Sequence, residues 1–512
     1  MAKTDLVLGI DVGTSTTKVV LADPYGLVFL QKSASYELSS PLPGYAEQDP
    51  ADWWGAVCSL TQELFKEHAE MRERIAAVGV SGQGAGAVVI DGSGDILRPA
   101  ILSLDRRSAL DAEHLQSSCG SRVVEISGKL PASYNLELKL RWIKNYEPDI
   151  WARTWKVLTA TSFITYRLTG NPVMNHSDGG ISLAYDLSGR QWSSELLSLM
   201  ELPRSVYCEL AECDAIIGQI TELAAQATGI PKGVPVVAGG EDTSSAGLAM
   251  GVFAPGTGQL SLGTSNTVFL HVNFPITHAK LLAFPHVLPN RTLIGGSMSS
   301  GGLAVQWIAG IVSGGSSQAD SLNQATHEAA KLPAGTEGLI FLPYLAGELH
   351  PLNDGFARGV FFGLNAEMGR AHLFRAVLEA NALAIEHNLS VARTVGAAAQ
   401  TLIAVGGPTR NALLCQIIAD VTGLTLQVMN EHAGAALGSA ILAAQGVNLS
   451  SLESMQAAHA KPGKLYSPSA ERHSLYQKVF TTYTALYPRL KDLFPACSAI
   501  VAEAEAFPHV HV

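Results

Sequence analysis

An internal echo constrains this chain more than any other feature of its sequence. Residues 10–17 read IDVGTSTT and residues 260–267 read LSLGTSNT, half a chain length apart in 512 residues. Apolar, strand-forming runs flank both copies, at 6–10 and 18–21 around the first and at 268–271 after the second. A second pattern repeats as well: residues 236–242 (VVAGGED) and 402–408 (LIAVGGP) each run an apolar stretch into a glycine pair. A duplicated strand–turn–strand unit with matching flanks predicts two similar α/β domains facing one another across a central cleft. The boundary is expected near Phe253-Ala254-Pro255-Gly256. That gives one domain over 1–254, a second over 255–490 and a C-terminal tail over 491–512.

Local signals agree with a layered α/β domain. Asp23-Pro24-Tyr25-Gly26 fits a type I turn. Asp49-Pro50 is a helix start, Asp as cap and Pro in the first turn, with Trp53, Val57, Leu60 and Leu64 on one face. An apolar strand over 76–80 runs into Ser81-Gly82-Gln83-Gly84-Ala85-Gly86. Composition then removes several functional classes. With 47% hydrophobic and 15% charged residues, disorder is excluded. A formal charge of −11 is the wrong sign for a nucleic-acid or anionic-membrane partner. The six cysteines form no C-x-x-C pair, so no zinc or dithiol site is expected. No apolar run reaches the roughly 18–20 residues of a membrane span, and MAKTDLVLGID lacks the apolar core of a signal peptide. The expectation is a cytoplasmic enzyme acting on small molecules, with neither nucleic acid nor membrane as partner.

The chemistry points to phosphate. A Gly-Thr-Ser turn between strands offers consecutive backbone N–H groups and two hydroxyls, a concavity suited to anionic oxygens. One such turn alone reads as an ordinary hairpin, whereas two at equivalent places could grip a polyphosphate. The copies differ: Asp11 and Lys18 of the first become Ser261 and Val268 in the second. Asp11 is thus a carboxylate beside a phosphate cradle, where magnesium would want one, or a plain strand-end residue. Asp242 follows a glycine pair and precedes Thr243-Ser244-Ser245, so it reads either as a base or as a helix N-cap. No Walker motif is present. Residues 82–87 match the dinucleotide fingerprint G-x-G-x-x-A, but they run into a strand-like Val88-Val89-Ile90 where that motif requires a helix. His509 and His511 have ligand-like spacing in a segment expected to be disordered.

Together these motifs resemble, from end to end, the FGGY carbohydrate kinases of the actin-like (ribonuclease H-like) ATPase superfamily, and among them the xylulokinases. The matching segments are GIDVGTS, YAEQDPADWW at 45–54, SGQ at 81–83, LRPAIL at 97–102, KLRWI at 139–143 and VPVVAGGEDTSSAG at 234–247. LSLGTS, FLPYLAGE at 341–348, the residues 359–364 with 372–373 and 376–379, and GGPTRN at 406–411 continue the match. The resemblance implies ATP-dependent phosphorylation of a ketose, D-xylulose first among acceptors. It implies Asp242 as the catalytic base, and Asp11 and Asp242 as carboxylates for the Mg²⁺ of ATP. Gly13, Thr14, Ser15 and Lys18, with Gly263, Thr264 and Ser265, would take the phosphates. Gly406, Gly407, Arg410 and Asn411 would take the adenosine; Gln83, Asp105, Glu241 and Asp242 would contact the sugar. A homodimer is an open alternative to a monomer.

Departures cluster on the sugar side. Where xylulokinases carry Met-His after SGQ, this chain has Gly84-Ala85. The usual W-N-D-G-R is Ser103-Leu104-Asp105-Arg106-Arg107, and G-E-R-T-P is Gly347-Glu348-Leu349-His350-Pro351. Losing two large side chains predicts either a void refilled from elsewhere, with Arg106 and His350 as candidates, or a different or larger acceptor. Another ketose or polyol, or an actin-like ATPase module without a sugar, are the alternatives.

Overall fold

Leu6–Val12 is buried along its length except at Asp11, as a central strand must be. In the computed structural model, which describes residues 5–252, 254, 256–312, 318–429, 434–459 and 463–504, this strand pairs antiparallel with Thr16–Ala22 and parallel with Ile75–Gly82. The sheet order is Ile216–Gln219, Pro235–Val237, Ile75–Gly82, Leu6–Val12, Thr16–Ala22, Val28–Ser35, with Gly240–Glu241 also paired to Ile75–Gly82. Val28–Ser35 alternates half-buried and exposed residues, the pattern of an edge strand with one wet face. The helix Pro50–Glu67 starts as expected: the Asp49 side chain accepts from the Ala51 N–H, and Trp53, Val57, Leu60 and Leu64 are buried. After the Gly-rich run the chain enters a strand, Val88–Ile90. A dinucleotide fold is thereby ruled out for that segment.

A second sheet repeats the plan. Gly256–Leu262 and Asn266–Val272 form the hairpin, Gly256–Leu262 pairs parallel with Ala399–Val405, and Thr425–Val428 and Lys464–Tyr466 follow. In both sheets the first strand of a Gly-Thr-Ser hairpin lies against a parallel strand ending near a glycine-rich turn. The duplication read from the sequence is present as architecture, an α/β fold built twice.

By contacts the chain forms two units: Met1–Ala254 with His271–Ile294 and His432–Lys461, and Pro255–Leu270 with Gly295–Glu431 and Pro462–Val512. The first unit therefore recruits two segments from the C-terminal half. One is the helix Ala435–Gly446, uniformly apolar and buried over Ala435–Ala444. It lies so close to the first sheet that a Cβ at Gly9 would sit 1.9 Å from the Ala436 carbonyl and one at Gly79 1.9 Å from that of Ser439. Phe253 and Pro255 of the expected boundary, residues 505–512 of the expected tail, and with them His509 and His511, lie outside the described residues.

Candidate functional site

Register brings the first group of candidates together. Asp11 on one strand, Ser81 on the next and Gly240 on the third are neighbours across parallel strands, as are Val12, Gly82 and Glu241. The chain then leaves all three strands at their carboxyl ends through Gly13, Gln83 and Asp242. That edge is where open α/β sheets bind ligands, because the loops there diverge.

The first turn is tightly tied. Gly13 N–H donates to Thr16 O at 3.0 Å, and Tyr36 hydroxyl donates to Gly13 O. Gln48 Nε2 donates to Thr14 O at 2.7 Å, Thr14 Oγ1 donates to Gln83 Oε1 at 3.3 Å, and Gln83 Nε2 donates back to Gln48 Oε1 at 3.2 Å. The Gly13 N–H is thus consumed by the hairpin, and of three expected donors only those of Thr14 and Ser15 make no hydrogen bond among the described residues. Gln48 was legible within YAEQDP only as part of a matching segment; its role as the brace between Thr14 and Gln83 was not.

The acidic residues carry the electrostatics. Asp11 Oδ1 accepts from Ser81 Oγ at 2.9 Å, and Lys18 faces it across the hairpin. Desolvation and then the Asp242 charge raise Asp11 to about 6, against the pull of Ser81 and Lys18. Asp242 opens the helix Asp242–Ala249, but the cap is its neighbour: Glu241 Oε2 accepts from Ser244 N–H at 2.9 Å. Thr243 Oγ1 donates to Asp242 Oδ1 at 3.1 Å. Desolvation, with Glu241 adding to it, pushes Asp242 well above the ordinary carboxylate range. A third acid that the sequence reading missed, Asp178, is fully buried; desolvation raises it to about 7 and Asp242 adds to the rise. Nothing in its local sequence marks it, since only the fold brings it near Asp242.

Asp105 behaves differently from the expectation. It is fully buried, and its oxygens accept from Ala46 N–H (2.7 Å), Arg107 N–H (2.9 Å), Arg107 Nε (2.9 Å) and Arg107 Nη2 (2.8 Å). All four lone-pair directions are used, so in this structure Asp105 positions Arg107 rather than offering an oxygen to a sugar. Arg107 in turn bonds Glu47 at 2.6 Å and lies 3.8 Å over the Tyr45 ring and 4.7 Å over that of Trp142.

The second unit carries the other candidates. At the second turn Gly263 N–H donates to Ser265 O at 3.1 Å, again leaving Thr264 and Ser265 without an acceptor among the described residues. The first residues of the helix Gly301–Val312 donate to the turn: Gly302 N–H to Gly263 O at 2.8 Å and Leu303 N–H to Thr264 O at 2.9 Å. Gly406 ends the parallel partner strand at φ 109°, where a Cβ would lie 1.9 Å from Leu262 O; only glycine fits. A short turn, Gly407–Arg410, then leads to Asn411, which caps the helix Ala412–Thr422 by accepting from Leu414 N–H at 3.1 Å. The Asn411 amide also donates to Thr326 Oγ1 at 3.2 Å. Gly13, Thr14, Ser15, Lys18, Gln83, Asp11 and Asp242 thus share one sheet edge, and Gly263, Thr264, Ser265, Gly406 and Gly407 share another.

Asp11 and Asp242 suit a hard divalent cation, because both carboxyls are raised by desolvation, Asp11 also by the Asp242 charge, and a bound cation relieves that. Among the described residues, no three His, Cys, Asp or Glu side chains are grouped to hold a metal. A cation here would take two carboxylates at most and complete its shell with water and phosphate oxygens, which is magnesium's habit. Among the described residues, no helix is long and apolar enough to cross a membrane.

Comparison with known proteins covers nearly the whole chain. The N-terminal domain of the FGGY family of carbohydrate kinases matches residues 6–249, and its C-terminal domain matches residues 258–447. The xylulose kinase of Escherichia coli K12 is 32% identical over 493 residues, covering 95% of this chain and 100% of the relative. Two solved structures superpose closely. The xylulose kinase of Rhodospirillum rubrum gives a TM-score of 0.91 at 29% identity, covering 96% and 99% of the two chains. A kinase of Brucella ovis described as a "xyloylose kinase" gives 0.88 at 31%, covering 95% and 100%.

Proposed function

The chain belongs to the FGGY family of carbohydrate kinases, and from that membership we propose that it transfers the γ-phosphoryl group of ATP to D-xylulose, forming D-xylulose 5-phosphate, with Asp242 as the base. The observation that carries this reading is the division of labour at the start of the helix Asp242–Ala249. Glu241 caps the helix, so Asp242 is not needed for that structural task. Phosphoryl transfer asks the protein for positioning, charge neutralisation and one acceptor for the proton of the attacking hydroxyl. Asp242 would take that proton on its carboxylate, and Thr243 would orient the group through Oδ1.

The remaining residues have parts that follow from their chemistry. The free N–H groups of Thr14 and Ser15, and of Thr264 and Ser265, would donate to phosphate oxygens, with Lys18 supplying positive charge beside the first turn. Asp11 and Asp242 would hold Mg²⁺, which when bound offsets the charge of the polyphosphate. Gly406 and Gly407 would let the nucleoside approach the backbone, with Arg410 and Asn411 flanking it. Gln83 and Glu241 would line the sugar side, and Asp105 would act there through Arg107. The chain is expected to work in the cytoplasm.

An ADP-release assay over a panel of ketoses and polyols tests this reading. The expected result is release that requires an acceptor, with D-xylulose among those turned over. Equal release without any acceptor would overturn it. A second reading, that another ketose or polyol is the better acceptor, is favoured by Gly84-Ala85; the same panel ranks the candidates, and a D-xylulose kcat/KM above about 10⁴ M⁻¹s⁻¹ at the head of that ranking would remove it.

A further inference from the structure

Three fully buried ionisable side chains have no part in the chemistry above, and all three hold backbone in or next to the segments around Gly84 and Ile181. Lys139 Nζ donates to Ala85 O and, at 2.7 Å, to Tyr134 O. Lys129 Nζ donates to Gly180 O at 2.7 Å, to Ala283 O at 3.3 Å and to Ser127 O. The Glu137 carboxylate accepts from Leu183 N–H at 2.9 Å, Ala184 N–H at 3.2 Å and Ser182 Oγ. Burying a charge costs free energy that only such hydrogen bonds offset, so these segments are held rigidly. Ala85 is fixed in a left-handed conformation, φ 59°, and Ile181 is clamped between Gly180 and Ser182.

The two pinned segments meet. A Cβ built on Gly84 would lie 2.4 Å from Ile181 Cδ1, 3.4 Å from Glu241 Cγ and 3.8 Å from Glu241 Oε1. Gly84 and Ile181 are both half-buried, and Gly84 lies two residues beyond the end of the strand whose Ser81 and Gly82 pair with Gly240 and Glu241, the residues before Asp242. The space above Gly84 is already filled, by a methyl group. Arg106 instead bonds Ser103 O and Ser133 Oγ, and His350, a residue of the second unit, bonds Ser297 N–H there.

We propose that Ile181 is a specificity-determining residue: packed on Gly84, it forms the wall of the acceptor site beside Asp242 and limits the acceptor to pentulose size. This rests on the reading of Asp242 as the base. A rigid wall excludes an additional hydroxymethyl group because neither segment can withdraw, and one carbon's difference at such a wall is worth about tenfold to a hundredfold in kcat/KM. Of the atoms nearest a Cβ on Gly84, Glu241 Oε1 is the polar one, and its side chain is buried.

The test measures kcat/KM for D-xylulose and for the six-carbon ketose D-fructose in wild type, Ile181→Ala, Ile181→Val and Gly84→Ala, and in Gly84→Ala combined with Ile181→Val. Val removes the δ-methyl alone and keeps the measurement possible if Ala fails to fold; unchanged thermal midpoints certify the fold. The expected result is a shift of about tenfold or more toward the hexulose in the trimmed variants, with KM for ATP within twofold of wild type. Gly84→Ala loses activity that the combined variant regains. A folded trimmed variant whose hexulose-to-pentulose ratio stays within twofold of wild type overturns the proposal. Asp242→Asn run in parallel separates the two ideas. If it remains active, the base assignment fails, whereas an inactive Asp242→Asn beside unaltered acceptor ratios refutes the wall alone.

Discussion

Asp11→Asn should make the free protein more stable while making it a poorer kinase. Raised from 3.8 to about 6 by desolvation and by Asp242, the ionised Asp11 carboxylate costs the folded chain up to about 3 kcal/mol. Its partial contact with solvent reduces that to about 1–2 kcal/mol. The folded state holds the proton more tightly than the unfolded chain, so the penalty is absent below about pH 4 and complete above about pH 6. Asn keeps the bond from Ser81 Oγ and carries no charge. At pH 7.5 without nucleotide, the variant should melt about 1–3 °C above wild type, and the gap should close toward pH 4. Adding Mg²⁺ and ATP should reverse the order, because binding stabilises only the protein that retains the carboxylate. Thermal melts at several pH values, with and without Mg²⁺ and ATP, decide the matter. A variant less stable than wild type at pH 7.5 without nucleotide, or a gap independent of pH, would mean that the Asp11 charge does not burden the fold.

Bulky replacements at Thr14 or Thr264 should raise KM for ATP about tenfold or more and leave the sugar KM within about threefold, since each turn keeps only two free N–H donors; steady-state kinetics with each substrate varied checks this. The acid limb of kcat/KM should rise with pH through about 6, as Asp11 loses its proton, and should change shape in Asp11→Asn, measured in the same assay. His271 and His286 are buried and stacked with ring centroids 5.0 Å apart; burial lowers His271 to about 4 and His286 well below its ordinary value. The unfolded chain therefore gains protons below about pH 6.5 that the fold refuses, so stability should fall from there toward pH 4, and His286→Gln should lessen the loss in urea titrations.

The parts of this fold legible in the sequence were those set by neighbours along the chain. Asp49-Pro50 starts a helix because a cap and a fixed φ act locally, and the Gly-Thr-Ser hairpins follow from flanking apolar runs. What depends on distant packing was hidden. The helix Ala435–Gly446 joins the first unit although its sequence says only that it is apolar on all sides. Lys139 looks like an exposed residue of KLRWI, yet it is buried because the carbonyls of Ala85 and Tyr134 satisfy it. Of two adjacent acids, periodicity could not say that Glu241 rather than Asp242 caps the helix. Asp105 was a candidate sugar contact from its motif alone; its saturation by Arg107 and Ala46 appears only in three dimensions. The filling of the Gly84 space by Ile181 joins residues almost a hundred positions apart.

In the proposed reaction Asp242 accepts the proton of the attacking hydroxyl. The measurement that tests it most directly compares D-xylulose phosphorylation by wild type and Asp242→Asn, with ATP affinity determined in parallel by equilibrium binding. A positioned general base contributes about 10²–10⁴-fold, so turnover should fall by that factor while the Kd for ATP measured without Mg²⁺ stays within about threefold. A variant that keeps more than a tenth of wild-type turnover, with its fold and ATP affinity intact, would contradict the account.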